Sequence, residues 1–181
     1  MKLHHTLLAS ATLLVCLTAQ AQTVSVNPTH TNVTVGDSFS VDILATGFPD
    51  KIFGGGFNIA FDPTILKLDG IVIPASWEFA VSTGLLDPAA GTVSDVYFNT
   101  FSAPIKGDFL TASLKFTAIG GGTSGIALSE SPSFPFGNEF ANAVAVTYVD
   151  GNVAVVPEPN SLTLLLAGIA CVGWATKRRQ G

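Results

Sequence analysis

The sequence is poor in charge and nearly devoid of sulfur: of 181 residues, 8 are Lys or Arg, 13 are Asp or Glu and 2 are Cys. A net charge of −5 with so few cations excludes a nucleic-acid partner, because binding to a phosphate backbone rests on clustered positive charge. The cysteines stand at the two ends, Cys16 and Cys171. Everything between them lacks a thiol, which excludes a disulfide scaffold and a Cys-ligated zinc domain. Beyond the first five residues the sole histidine is His30. One imidazole with no second His and no Cys nearby supports neither a His-activated nucleophile nor a His-type metal site, so His30 reads as a solvated loop residue. No Asp-x-Asp-x-Asp-Gly calcium loop is present. The scattered carboxylates single out no pair for glycoside hydrolysis, which stays a remote alternative. The expectation is a non-enzyme with no catalytic residue, cofactor or metal ligand.

What is abundant is apolar and turn-forming: 48% hydrophobic residues, 18 Gly, 10 Pro and 13 Phe. The greasiest stretches are terminal. Residues 1–21 run from Lys2 through an apolar stretch at 7–17 to Ala19-Gln20-Ala21. This is the charged, apolar and small-x-small order of a secretory signal peptide, with cleavage expected after Ala21. The apolar part is too short for the roughly 20 residues that a bilayer span needs. At the other end, Pro157-Glu158-Pro159 precedes an apolar segment at 162–176 and the basic cluster Lys177-Arg178-Arg179. Two prolines stop a preceding element, the apolar segment can enter a membrane, and the cations stay cytoplasmic by the positive-inside rule. About 15 apolar residues make a short transmembrane helix, suited to a transient anchor.

The order Pro-Glu-Pro, Leu-rich helix, terminal basic cluster resembles the PEP-CTERM sorting signal. The resemblance implies recognition by an exosortase-type membrane protease, cleavage near Pro157-Glu158-Pro159 and a Gram-negative host. It also implies transient anchoring in the inner membrane, followed by delivery to the cell surface or extracellular matrix.

Between these addresses lies a body of residues 22–156, with four lysines against twelve carboxylates and a net charge of −8. Period-2 alternation marks half-buried strands: Phe39, Val41 and Ile43; Phe57, Ile59 and Phe61; Leu110, Ala112, Leu114 and Phe116. Further strands are expected at 23–26, 31–35, 66–73, 92–99, 124–128, 144–149 and 152–156. Turn signals fall at Gly36-Asp37, Phe48-Pro49-Asp50, Asp62-Pro63, Ala90-Gly91, 120–122 and Asp150-Gly151. The last, between Val-rich runs, predicts a type I′ hairpin. Nine to ten short strands without an amphipathic helix or a repeat predict an all-β two-layer sandwich, with Phe39, Phe57, Phe61, Phe98 and Phe116 in its core.

The body also resembles cohesin domains along nearly its whole length. The resemblance rests on Val24-x-Val26-x-Pro28, Val33-x-Val35-Gly36-Asp37-x-Phe39-x-Val41, the run from Gly55 to Leu66 with Phe61-Asp62-Pro63, Gly107-Asp108-Phe109-Leu110, and Val149-Asp150-Gly151-x-Val153, in that order. It implies a jelly-roll β-sandwich whose family role is to bind a dockerin module through one flat sheet face, near the strand that here contains Phe57. The residues entering that strand are Gly54, Gly55 and Gly56, which offer backbone but no side-chain hydrogen bonds. The fold therefore transfers further than the partner, which is a dockerin-like surface protein or a polysaccharide. Two segments suggest the binding surface: Trp77 with its neighbours Glu78 and Phe79, and the aromatic, proline-rich connection holding Phe134, Phe136 and Phe140. Exposed aromatics there could stack on sugars or anchor a protein, or else close an open end of the sandwich.

Overall fold

The structure, a computed structural model, describes residues 22–157. Of the sorting residues, Ala19, Ala21, Glu158, Pro159, Lys177, Arg178 and Arg179 lie outside that range, as does the expected hydrophobic helix. The described residues form eleven strands: β1 (Thr23–Asn27), β2 (His30–Thr34), β3 (Ser38–Phe61), β4 (Leu66–Val72), β5 (Ala80–Asp87), β6 (Thr92–Asn99), β7 (Ile105–Ala118), β8 (Gly122–Glu130), β9 (Gly137–Asn138), β10 (Thr147–Val149) and β11 (Gly151–Val156).

The spine is β3. Its first half pairs with β1 and β7, its second half with β6 and β8. The strand thus belongs to both layers, one ordered β10-β1-β3-β7-β4 and the other β5-β6-β3-β8-β11-β2. Phe48-Pro49-Asp50, expected as a turn, does not end the strand. Ladder slips between Ala45 and Ile52, with Gly47 and Gly107 at φ +76° and +82°, bend the paired strands around a corner instead. Strands change sheets at such bulges, and a bulge tolerates the proline that a regular ladder would not. The Gly47 amide also donates to Asp108 Oδ1 at 2.9 Å, which ties the corner together.

The layers close on a core of phenylalanines. Phe57, Phe98 and Phe116 are fully buried, Phe61 nearly so and Phe39 partly so. Phe61 meets Phe116 edge to face across the layers at 5.3 Å. Burying such rings is worth about 1.5–3 kcal/mol each, and it holds the two sheets together.

Further local expectations fail for physical reasons. Asp150-Gly151 is not a hairpin: β10 pairs in parallel with β1, β11 pairs with β8 and β2, and neither turn residue has positive φ. The dipeptide carries the chain from one layer to the other. Its glycine is needed because a Cβ there would lie 2.5 Å from Val26 Cγ1, while Asp150 Oδ1 accepts the Leu128 amide at 2.9 Å. Another is β5, which the alternation did not mark. Gly84 at φ +78° inverts it: Val81 and Thr83 share the core-facing side with Leu86, not with Leu85. His30, expected in a loop, is exposed but opens β2, opposite Asn152.

Candidate functional site

The face that the sequence points to is the outer side of β5-β6-β3-β8. Alternation along β3 sends Phe57 and Ile59 inward and Gly56, Asn58 and Ala60 outward. Outward residues on β6 opposite or beside them are Ser94, Tyr97 and Asn99.

The connection 131–146 folds over the glycine stretch and explains it. Above Gly56, Phe134 stacks on Tyr97 with centroids 4.1 Å apart and rings 21° from parallel. A Cβ on Gly56 would lie 2.8 Å from Phe134 Cβ. On the opposite side Phe136 packs against Gly55, where a Cβ would fall 2.6 Å from its ring. Phe136 also stacks on Phe48 at 5.6 Å and meets Phe98 edge to face at 5.6 Å. Gly55 and Gly56 are therefore buried seats for two phenylalanines, and Gly54 lies against the Asn99 side chain; the three are not an open backbone surface.

This placement corrects two of the four aromatic candidates. Trp77 and Phe136 are each 2% exposed. Trp77 closes the sandwich edge, with its ring 4.5 Å from Phe98 and 5.5 Å from Phe109, and its Nε1–H donates to the Leu110 carbonyl at 3.1 Å. Both residues fill the core because aromatic surface of this size is worth more buried than exposed, and the indole N–H has found an acceptor. Phe134 is half-buried on the outer face, and Phe140, further along the connection, is 67% exposed.

A polar network organises the same face. Asp95 sits at φ +58° in the β6 bulge, where β6 carries one more residue than β3 between Phe57 and Ile59. Asn58 Oδ1 accepts the Asp95 amide at 2.8 Å, Asn58 Nδ2 donates to the Glu130 carbonyl at 2.8 Å, and Ser131 Oγ donates to Asp95 Oδ1 at 2.6 Å. The left-handed backbone that Asp tolerates is thus held by side chains from three segments.

Beside Trp77, Glu78 clamps the loop after β6. Its Oε1 accepts the Phe101 and Ser102 amides at 3.0 and 2.9 Å and the Ser102 hydroxyl at 2.9 Å. The Thr100 hydroxyl, then these amides, hold the carboxyl far below its usual range. The clamp displays Phe101, 76% exposed, against Phe79, 69% exposed, with centroids 5.9 Å apart. Phe101 carried no signal in the sequence, because nothing local marks an aromatic whose partner lies 22 residues away. A further cleft is lined by Glu130, Phe136, Val144, Val146 and Tyr148. Burial, and secondarily the Glu130 charge, pushes the Tyr148 phenol up to about 12. Among the described residues no group of three or more His, Cys, Asp or Glu converges as a metal site.

Comparison with known proteins separates the two parts of the chain. Residues 155–179 match the family model described as the PEP-CTERM protein-sorting motif. No curated protein matches the sequence. The body has the cohesin fold. It is similar to a non-cellulosomal cohesin from Archaeoglobus fulgidus, with TM-score 0.62 and 12% identity over 80% of this chain and 97% of that one. A cohesin of Clostridium thermocellum, solved in a cohesin–dockerin complex, gives TM-score 0.62 and 15% identity over 76% and 100%. The sixth cohesin of Acetivibrio cellulolyticus scaffoldin B, solved with a dockerin, gives 0.61 and 18% over 76% and 100%.

Proposed function

We propose that this protein is a non-catalytic binding module, exported and delivered to the cell surface or extracellular matrix of a Gram-negative bacterium, where its cohesin-type sandwich engages a dockerin-like surface protein. The observation that carries the reading is the joining of a PEP-CTERM protein-sorting motif to a body of cohesin fold in one chain. The tail would anchor the chain in the inner membrane through residues 162–176 until an exosortase-type protease cuts near Pro157-Glu158-Pro159. The outer face of β5-β6-β3-β8 would then act as a scaffold surface, through Asn58 and the stacked Tyr97–Phe134 pair, together with the exposed Phe140 just after β9.

Such a face offers a partner rigid apolar area and few charges, which suits protein recognition. Capture from the host exoproteome on the immobilised protein tests it. A specific partner lost in a Tyr97→Ala, Phe140→Ala variant is the expected result; no partner, or one indifferent to both changes, defeats the proposal. Sorting is tested separately by fractionating cells that carry Arg178→Ala and Arg179→Ala. The variant should accumulate unprocessed in the membrane fraction, and unchanged release would count against the route.

A second reading, an exopolysaccharide ligand, draws on the exposed rings of Phe79, Phe101 and Phe140. In affinity electrophoresis through host polysaccharide, retardation abolished by Phe101→Ala and Phe140→Ala would favour it over the protein partner.

A further inference from the structure

Where the chain leaves the body, both layers end in a set of touching loops. The Val156 carbonyl accepts the Val35 amide at 3.0 Å, which fastens the end of β11 to the turn 35–37. Gly121 lies against Pro157, where a Cβ would come 3.3 Å from the proline Cγ, and Gly120 lies against the Thr64 carbonyl. Gly91, after the turn Pro88-Ala89-Ala90, lies against Phe61 and Pro63. Apolar residues reach solvent across this end: Ile119 is 47% exposed and Val156 54%, and Pro88, Ala89, Ala90 and Pro157 are exposed with them. Beside them is a cleft of about 350 Å³ whose lining includes Phe61, Leu66, Leu68, Leu86 and Ile119. Single exposed apolar residues need no explanation, but a group gathered at one end of a molecule marks a contact surface.

The length of chain beyond the body says what stands opposite. The matched sorting motif begins at residue 155, inside β11, and the apolar segment read as the membrane anchor begins at 162. Five residue steps separate Pro157 from that segment, and at roughly 3.1–3.6 Å per step they span at most about 18 Å. Headgroups take up about 5–7 Å of that, which holds this end of the body within roughly 12 Å of the lipid surface. An eight-residue strand such as β5 is about 26 Å long, so the tether is shorter than the body it holds.

We propose that this end of the sandwich sits on the bilayer that holds the tail, with Ile119, Val156 and the turn Pro88-Ala89-Ala90 against a zwitterionic headgroup layer; the inference depends on the membrane anchor of the reading above. The tether makes the contact intramolecular, so a weak apolar contact suffices. Charge selects the lipid, because Asp37, Asp62, Asp69 and Asp87 stand at this end with Lys67, a balance that an anionic surface would repel. Each carboxylate is already engaged locally: Asp37 by the Thr34 amide, Asp62 by Thr64, Asp69 by Lys67 and Asp87 by the Ala89 and Ala90 amides. Phe79, Phe101 and Phe140 stand at the opposite end, beside the start of β5 and beside β9, about one strand length further from the lipid. They stay free for the partner proposed above.

The full chain, with Cys16 and Cys171 replaced by Ala, is exported by a bacterial host, purified and reconstituted into phosphatidylcholine vesicles that carry a headgroup quencher. A fluorophore is placed on Ala89→Cys at this end or on Ala103→Cys at the other, both exposed positions. The quencher should dim the first label and leave the second bright. Ile119→Asp with Ala90→Asp, also exposed, should bring the two labels to equal quenching while the chain still floats with the vesicles, because a carboxylate resists entry to the interface. Equal quenching in the unaltered body, stronger quenching at residue 103, or indifference to the aspartates overturns the proposal. A preference for this end that arises only in membranes holding the host's processing protease overturns it too, since the partner is then a protein. A chain that does not float defeats the anchor reading and this inference with it, whereas a floating chain with equal quenching defeats this inference alone.

Discussion

Single residues decide what is surface and what is core. Trp77 was a reasonable surface candidate from its place in an irregular stretch, yet the fold buries it between Phe98 and Phe109. Trp77→Ala should therefore cost about 3–5 kcal/mol of unfolding free energy, read by chemical denaturation, because it opens a cavity and strands the Leu110 carbonyl. Glu78 next to it faces solvent and acts locally. Its carboxyl is depressed from 4.5, so its contribution to loop order is present above the unfolded value and is lost as pH falls through the lower folded value. The Phe101 and Ser102 amides should stay protected from hydrogen exchange between pH 7 and pH 4.5, and Glu78→Ala should remove that protection at neutral pH. Neither role was legible in the sequence. The acceptors and rings that define them come from residues more than 20 positions away, and local composition carries no trace of them.

At the scale of elements, alternation located most strands, because side chains on a half-buried sheet must alternate wherever the ladder is regular. Where the ladder is irregular the same reasoning failed: at Gly84 in β5, and at the corner near Pro49, where β3 bends without ending. The glycines at 54–56 show the same limit. They read as missing side chains on a binding strand, but Gly55 and Gly56 seat Phe136 and Phe134, and Gly54 makes room for the Asn99 side chain. Gly55→Ala forces a Cβ to 2.6 Å from the Phe136 ring and should cost about 1–3 kcal/mol, with faster hydrogen exchange through 131–140. Gly70→Ala, with open space at its Cβ, serves as the neutral control and should change the denaturation midpoint little.

For the whole molecule, the last strand and the sorting tail meet at one point. β11 ends at Val156, whose carbonyl accepts the Val35 amide at 3.0 Å, and the Pro-Glu-Pro motif follows at once. A chain ending after Pro157 should keep the unfolding midpoint of the longer one. A chain ending at Asp150, which removes β11 from between β8 and β2, should fail to give a cooperative denaturation curve. The sequence by itself determined the all-β class, the phenylalanine core, the scarcity of catalytic groups and the C-terminal sorting motif, since these rest on composition, period and local order. Tertiary structure alone decided that β3 serves both layers, that Trp77 and Phe136 are buried, that Asp150-Gly151 is a crossover, and that β5 changes face at Gly84. Each of these depends on contacts between residues distant along the chain, and such contacts exist only after the two layers have closed on each other.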